Sequence, residues 1–231
     1  MFQRPPLNER RRAAAVTAIV AVVTVTVAAQ TAQRHPVSGR IIAQVMGYEG
    51  AAWLERPERE REEEPSKAIT ALDIKPGQVV ADVGAGSGYY TARLAASVGD
   101  SGKVFATDIQ PQMVALLQQR VARDRLTQVS VVQATPTDPG LPHNQVDLIL
   151  MVDVYHELAR PQDVLRQLRA ALKPDGRLVL IEFRKESAWV PIREEHKMSV
   201  NEARMELEAE RYRFERVIDV LPWQHILVFR R

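Results

Sequence analysis

A glycine-rich turn, Gly84-Ala85-Gly86-Ser87-Gly88, narrows most sharply what this chain can fold into. It follows the apolar run Val79–Val83, which reads as a buried strand, and precedes Tyr89–Ala95, which opens a helix. A strand, a glycine turn and a helix N-terminus together form a ligand cradle. Glycine permits the tight turn and lets backbone N–H groups approach a ligand closely. The spacing decides which ligand. A dinucleotide fold requires G-x-G-x-x-G, and Tyr89 stands where its third glycine would be. The pattern here is D-x-G-x-G-x-G, from Asp82 to Gly88.

A second strand, Lys103–Asp108, follows the turn Gly99–Gly102 and ends in a carboxylate 20 residues beyond Gly88. A carboxylate at that place accepts from both hydroxyls of a ribose. Ile109 and Met113 stand where they flank an adenine ring, and Pro111 starts the next helix, with Asp108 also placed to cap it. The Asp82–Gly88 pattern resembles motif I of the class I S-adenosylmethionine (SAM)-dependent methyltransferases. Asp108 and the run Val146–Asp153 resemble motifs II and IV, in order. Ala171–Leu180, with Lys173-Pro174-Asp175-Gly176, resembles the helix-turn-strand that follows. The resemblance covers residues 66–231. It implies SAM as cofactor, held by Asp82, Gly84, Ala85, Gly86, Ser87, Gly88, Asp108 and Ile109. Relatives often place an acidic residue after strand three to meet the adenine amino group. This chain has Thr135 and Asp138 in that stretch, so Thr135 is the candidate there and Asp138 the alternative.

Alternating strands and helices imply an α/β, Rossmann-like, doubly wound sheet. The superfamily pattern has seven strands ordered 3-2-1-4-5-7-6, with an antiparallel terminal hairpin. Here the hairpin reads as Phe214–Leu221 and Ile226–Arg230, joined by Pro222–His225. Helices are expected at Tyr89–Val98, Pro111–Arg123, Pro161–Leu172 and Ser199–Glu210. An N-terminal helical extension is expected at Ile41–Leu54, with a short helix at Ser66–Leu72. The charge run Glu55–Glu64 reads first as a solvated helix face, with Glu55 and Arg59 at i,i+4. A sharper reading makes it a cap, with Trp53 and the arginines closing over the cofactor.

Residues 1–29 read as an export signal or N-terminal anchor. Arg10–Arg12 supplies the positive region, Ala13–Ala29 is uncharged, and Val27-Ala28-Ala29 offers a small-residue cleavage site. Residues 30–65 then form a linker and helical cap, and residues 66–231 the catalytic domain. The leader implies export to the periplasm or beyond; without it the domain is cytoplasmic, where SAM is made. The leader is also the chain's one expected membrane contact. It distorts the formal charge of +2, because the remaining chain carries 27 basic and 28 acidic residues. No overall basic bias remains, so a nucleic-acid partner is not expected. Oligomeric state has no signature in the sequence. The chain has no Cys, which excludes methyltransferase chemistry through a Cys nucleophile or Cys-held arsenite.

The segment Asp153-Val154-Tyr155-His156-Glu157 follows strand four and carries the candidate chemistry. His156 is suited to take a proton from a small-molecule hydroxyl near neutral pH, with Asp153 or Glu157 orienting it. An alternative gives Asp153 the methionine amino group and leaves His156 to packing. No metal is expected, because no second His follows at helical spacing. Val152–Tyr155 lacks the paired prolines of amine-methylating relatives. The resulting reading is a methyltransferase acting on a small-molecule acceptor. Two alternatives remain: a non-catalytic protein that binds an adenosyl ligand, and a protein isoaspartate-type carboxyl methyltransferase, which Ser87-Gly88-Tyr89 resembles. His35 and His143 are expected on surface loops, and His196–Met198 in the loop before the Ser199 helix.

Overall fold

A computed structural model describes residues 32–231. The leader expected at residues 1–29 lies outside them. Five parallel strands form the body of the sheet: β1 Val79–Val83, β2 Lys103–Asp108, β3 Val129–Gln133, β4 Val146–Val152 and β5 Leu172–Arg184. A two-residue strand, β6 Lys197–Met198, runs parallel to the end of β5. The antiparallel pair β7 Arg213–Ile218 and β8 Gln224–Arg230 completes the sheet. The order is β3-β2-β1-β4-β5-β8-β7, with β6 beside β5. This is the expected seven-strand path, and β6 is the addition.

The central strands are largely apolar because both faces are covered. In β4, Ile149 and Met151 pack into one core, and Leu148 and Leu150 into the other. On the first face, α6 Pro161–Ala171 contributes Leu165 and Leu168, and α7 Val200–Ala209 contributes Ala203 and Leu207. On the second, α3 Pro65–Leu72 and α4 Tyr89–Val98 contribute Ala68, Leu72, Leu94 and Val98. The helix α5 Pro111–Arg123 buries Met113 and Leu117. Ser199 caps α7 by accepting from the Glu202 backbone, and the Glu202 side chain returns the bond, a reciprocal cap.

The N-terminal extension departs from expectation. Residues 41–47 are not helical, and only α1 Ala51–Leu54 is, after a single 3-10 turn at Tyr48–Gly50. The backbone of this stretch bonds elsewhere: Ile42 N–H donates to Gln33 O (2.8 Å) and Ala43 N–H to His156 O (3.1 Å). Gly47 and Gly50 also weaken a helix there. The charge run is not a solvated face either. Its helix, α2, spans only Arg59–Glu62, and Arg59 and Glu63 are buried as an i,i+4 pair at 2.6 Å. Glu55 does not pair with Arg59; it accepts from Ser87 Oγ and meets Arg120 at 2.5 Å. His35 is buried, with Nε2 3.3 Å from Glu206. His143 is exposed.

Candidate active site

The carboxyl ends of the parallel strands gather the site, as expected for an open α/β sheet. At the end of β1, Gly84 and Ala85 both donate N–H to Thr107 O at 2.9 Å, which folds the turn onto β2. Gly84 has φ +74°, and a Cβ there would lie 2.5 Å from Val154. Gly86 has φ +54°, and its Cβ would lie 2.9 Å from Leu54 Cδ1. Backbone therefore requires glycine at both positions, and at Gly84 the space does too. Asp108 accepts from Gly86 N–H and Gln110 N–H, each at 2.9 Å. Burial raises its pKa and those backbone donors oppose the rise.

A cavity of about 220 Å³ opens beside this turn. Gly84, Gly86, Asp108, Ile109 and Thr135 line it, as do Asp153 and His156. Asp82, Ala85, Ser87 and Gly88 do not. Asp82 lies beneath the turn and accepts from Thr91 Oγ1 at 2.6 Å; burial pushes its pKa up to about 6. Its place is to tie β1 to α4. Ser87 turns to Glu55, and Gly88 is the N-cap residue of α4. The Thr135 hydroxyl is engaged in its own turn, accepting from Asp138 N–H at 3.0 Å, so Thr135 supplies wall. Asp138 caps that turn through Gly140 N–H (2.7 Å) and does not line the cavity.

The cap closes the cavity with Trp53, Leu54 and Arg59. Arg59 donates to Glu63 (2.6 Å) and to Leu54 O (3.0 Å), and its guanidinium lies 4.3 Å from the Tyr89 ring centroid. Sequence reasoning offered this cap only as the sharper alternative. Its signal is Trp53 preceding a run in which acids and arginines can pair internally.

Asp153 has φ +53° and is held by Gln224, whose Nε2 donates to Oδ2 at 2.6 Å. Its other oxygen is buried without a partner. Burial, then the nearby Glu63 and Glu182 charges, raises its pKa well above the ordinary carboxylate range. Asp153, which with Glu157 was expected as the residue orienting His156, does not; its carboxylate is taken by Gln224. The orienting residue is Glu182, on β5. His156 Nδ1–H donates to Glu182 Oε2 at 2.5 Å, and Glu182 Oε1 accepts from Tyr155 N–H at 3.0 Å. The ionised carboxylate can only accept, so it places the proton on Nδ1 and leaves a lone pair on Nε2. His196 Nδ1 sits 3.1 Å from that Nε2. Glu157 Oε1 is 3.9 Å from His156 Nε2 and 3.6 Å from His196 Nδ1. Burial raises the Glu157 pKa to about 7. The signal for Glu182 in the sequence was a carboxylate inside the apolar run Leu178–Phe183. His196 had none, because it arrives from a separate 3-10 turn, Glu194–His196.

The residues present fit SAM. The glycine turn takes a positive φ that side chains rarely adopt, Asp108 is a buried acceptor beside it, and the unpartnered Asp153 oxygen suits an ammonium group.

A family model described as a methyltransferase domain matches residues 81–178. The chain is 33% identical over 123 residues to a ubiquinone/menaquinone biosynthesis C-methyltransferase of Ectopseudomonas mendocina, covering 51% of this chain and 46% of that protein. The corresponding protein of Azotobacter vinelandii is 34% identical over 125 residues, covering 52% and 47%. The chain thus spans about half the length of these curated relatives. Among solved structures, a SAM-dependent methyltransferase of Aquifex aeolicus superposes with TM-score 0.76 at 31% identity, covering 80% of this chain and 98% of that one. A type 11 methyltransferase structure from Sulfolobus solfataricus gives TM-score 0.60 at 23% identity, covering 74% and 93%, a likeness of fold. With a relative 31% identical along nearly its whole length, and with the sheet order and cradle in place, the chain belongs to the class I SAM-dependent methyltransferase superfamily.

Proposed function

We propose that this protein transfers the methyl group of SAM to a small acceptor that carries a hydroxyl. The observation that carries the reading is a shared cavity: the glycine turn, Asp108 and Asp153 line it together with His156. SAM supplies, when bound, a methyl already activated on a sulfonium. The protein's share is then alignment, worth up to roughly 7–11 kcal/mol in favourable intramolecular cases. Gly84 and Gly86 admit the cofactor, Asp108 receives the ribose hydroxyls and the free Asp153 oxygen receives the ammonium. Leu54 and Trp53 exclude water from above the turn. Met46, Leu158 and Phe183 add an apolar wall suited to the body of the acceptor. The His156 Nε2 lone pair, fixed by Glu182, is the Lewis base that this cavity offers the acceptor. An open cavity beside that imidazole favours an enzyme over a protein that only stores an adenosyl ligand.

The test is calorimetry of the full-length chain with SAM and with S-adenosylhomocysteine, followed by transfer of labelled methyl to a panel of small phenols and alcohols. One SAM per chain and labelled product with at least one acceptor are expected. His156→Ala should keep SAM affinity and lower the rate about 10²–10⁴-fold. A folded chain that does not bind SAM would overturn the proposal, and so would binding without transfer to any acceptor.

A further inference from the structure

The imidazole that faces the acceptor side does not stand alone. His156 Nε2, His196 Nδ1 and Glu157 Oε1 form a triangle with sides of 3.1, 3.6 and 3.9 Å. A point equidistant from the three lies about 2.1 Å from each, the bond length of zinc to imidazole nitrogen or carboxylate oxygen. All three residues line the cavity. We propose that they hold a divalent cation of the zinc class, with its remaining coordination positions open to the acceptor. The proposal rests on the reading of this cavity as a methyl-transfer site and deepens it.

Three further observations support the site. The first is Glu182. A carboxylate that accepts from the far N–H of a ligating histidine fixes the tautomer and makes the ligand more basic. Here it does so at 2.5 Å, with Glu182 wholly buried and its other oxygen held by Tyr155 N–H. The second is charge. The partly buried Glu157 and the wholly buried Glu182 place two carboxylates around the imidazoles, and among the described residues no Lys or Arg lies within 4.0 Å of either. A cation between the imidazoles supplies the missing positive charge. The third is anchoring. The His156 carbonyl accepts from Ala43 N–H (3.1 Å) and Arg40 Nη1 (3.0 Å). The ligands are thus held on a supported turn.

Two imidazoles and one carboxylate favour zinc over magnesium or calcium, which prefer all-oxygen sets. An open position on zinc binds an acceptor hydroxyl and makes it more acidic. The O–H bond breaks, the electron pair stays on oxygen and the proton leaves to solvent water. A metal-held Nε2 cannot itself take the proton, so in place of the general base expected at His156 the cation acidifies the hydroxyl and water accepts the proton.

The experiment uses the full-length chain without a histidine tag, stripped with chelator and titrated with zinc sulfate by calorimetry. Cobalt(II) absorption serves as a second readout. One zinc per chain and visible cobalt bands are expected. His196 is half-buried at the cavity edge, so His196→Ala should keep its melting temperature while losing at least 100-fold in zinc affinity. Glu157→Gln should do the same, and Glu182→Gln should lose 10–100-fold. Absence of zinc binding overturns the proposal. Binding undiminished in both His196→Ala and Glu157→Gln also overturns it, because the ion then sits elsewhere. SAM calorimetry on the same samples separates the two readings. SAM binding without zinc overturns the cation alone, whereas loss of SAM binding overturns the methyl-transfer reading.

Discussion

Replacing Asp153 with Asn separates cofactor binding from stability, and the structure predicts opposite signs for the two. Asn keeps the shape, tolerates φ +53° and still accepts from Gln224. What it removes is a buried negative charge lying among Glu63 and Glu182, and the charged character of the unpartnered oxygen. The apo protein should therefore melt no lower than wild type. The cofactor should suffer, because a hydrogen bond to a charged group contributes about 1.5–3 kcal/mol, roughly 10- to 140-fold in affinity. At a SAM concentration 100 times the wild-type Kd, wild type gains about 2.7 kcal/mol. A variant with a 30-fold weaker Kd gains about 0.9 kcal/mol at that concentration. Calorimetry gives the affinity directly, and melting with and without SAM gives the linked stability. Unchanged affinity would show that Asp153 does not face the ammonium group. A lower apo melting temperature would show that its charge is compensated by something other than Gln224.

Gly86→Val should abolish measurable SAM binding by calorimetry. It should cost about 1–3 kcal/mol of stability in a denaturant titration, because a β-branched residue is strained at φ +54°. Asp82 carries a pH signature. Its folded pKa, about 6, lies above its ordinary value of 3.8, so its favourable contribution is complete below pH ~4 and lost as pH rises through ~6. Asp82→Asn should therefore stabilise the apo protein by up to about 3 kcal/mol above pH ~6, with the gain vanishing below pH ~4, as read by chemical denaturation across pH. Arg40→Met takes the guanidinium, met at 2.8 Å, from the buried Glu206 and leaves it only Ser38 and His35. It should cost about 3–5 kcal/mol, and adding Glu206→Gln should recover part of that loss. Residues 1–29 should be absent from protein isolated from its native cell, with an N-terminus near Gln30; mass spectrometry of the intact chain decides, and a retained leader on soluble cytoplasmic protein refutes export.

The fold was legible because its signals are local. Val79–Val83, the glycines and the apolar runs of β4 and β5 each announce their element, and α4 and α5 begin and end at their expected residues. The cofactor side was legible for the same reason: Gly84, Gly86 and Asp108 sit at fixed spacings along one β-α-β unit. The acceptor side depends on long-range placement. Glu182 meets His156 because β5 runs beside β4, in the register Val152↔Ile181. Gln224 reaches Asp153 because β8 pairs with the end of β5, Phe183↔Gln224. Such meetings follow from register, and a sequence read along its length does not display register. The N-terminal extension was misread for a related reason. Its apolar spacing resembles a helix, but Ile42 and Ala43 are buried by backbone bonds to residues 33 and 156.

These two kinds of signal divide the molecule by function. The family match covers residues 81–178, which hold the glycine turn, Asp108, Asp153, His156 and Glu157. Glu182, His196 and the cap residues Trp53 and Arg59 lie outside it. The matched stretch thus holds the glycine turn, Asp108 and His156, and the flanks supply other parts of the wall of the same cavity. They are also tied to each other. Arg40 donates to the His156 carbonyl and pairs with Glu206 of α7, the helix that follows His196 and β6. The His156 turn is therefore gripped between the N-terminal extension and the segment after β5. On the proposed reading, substrate choice should vary with those two segments together, because a change in either moves the turn that carries His156.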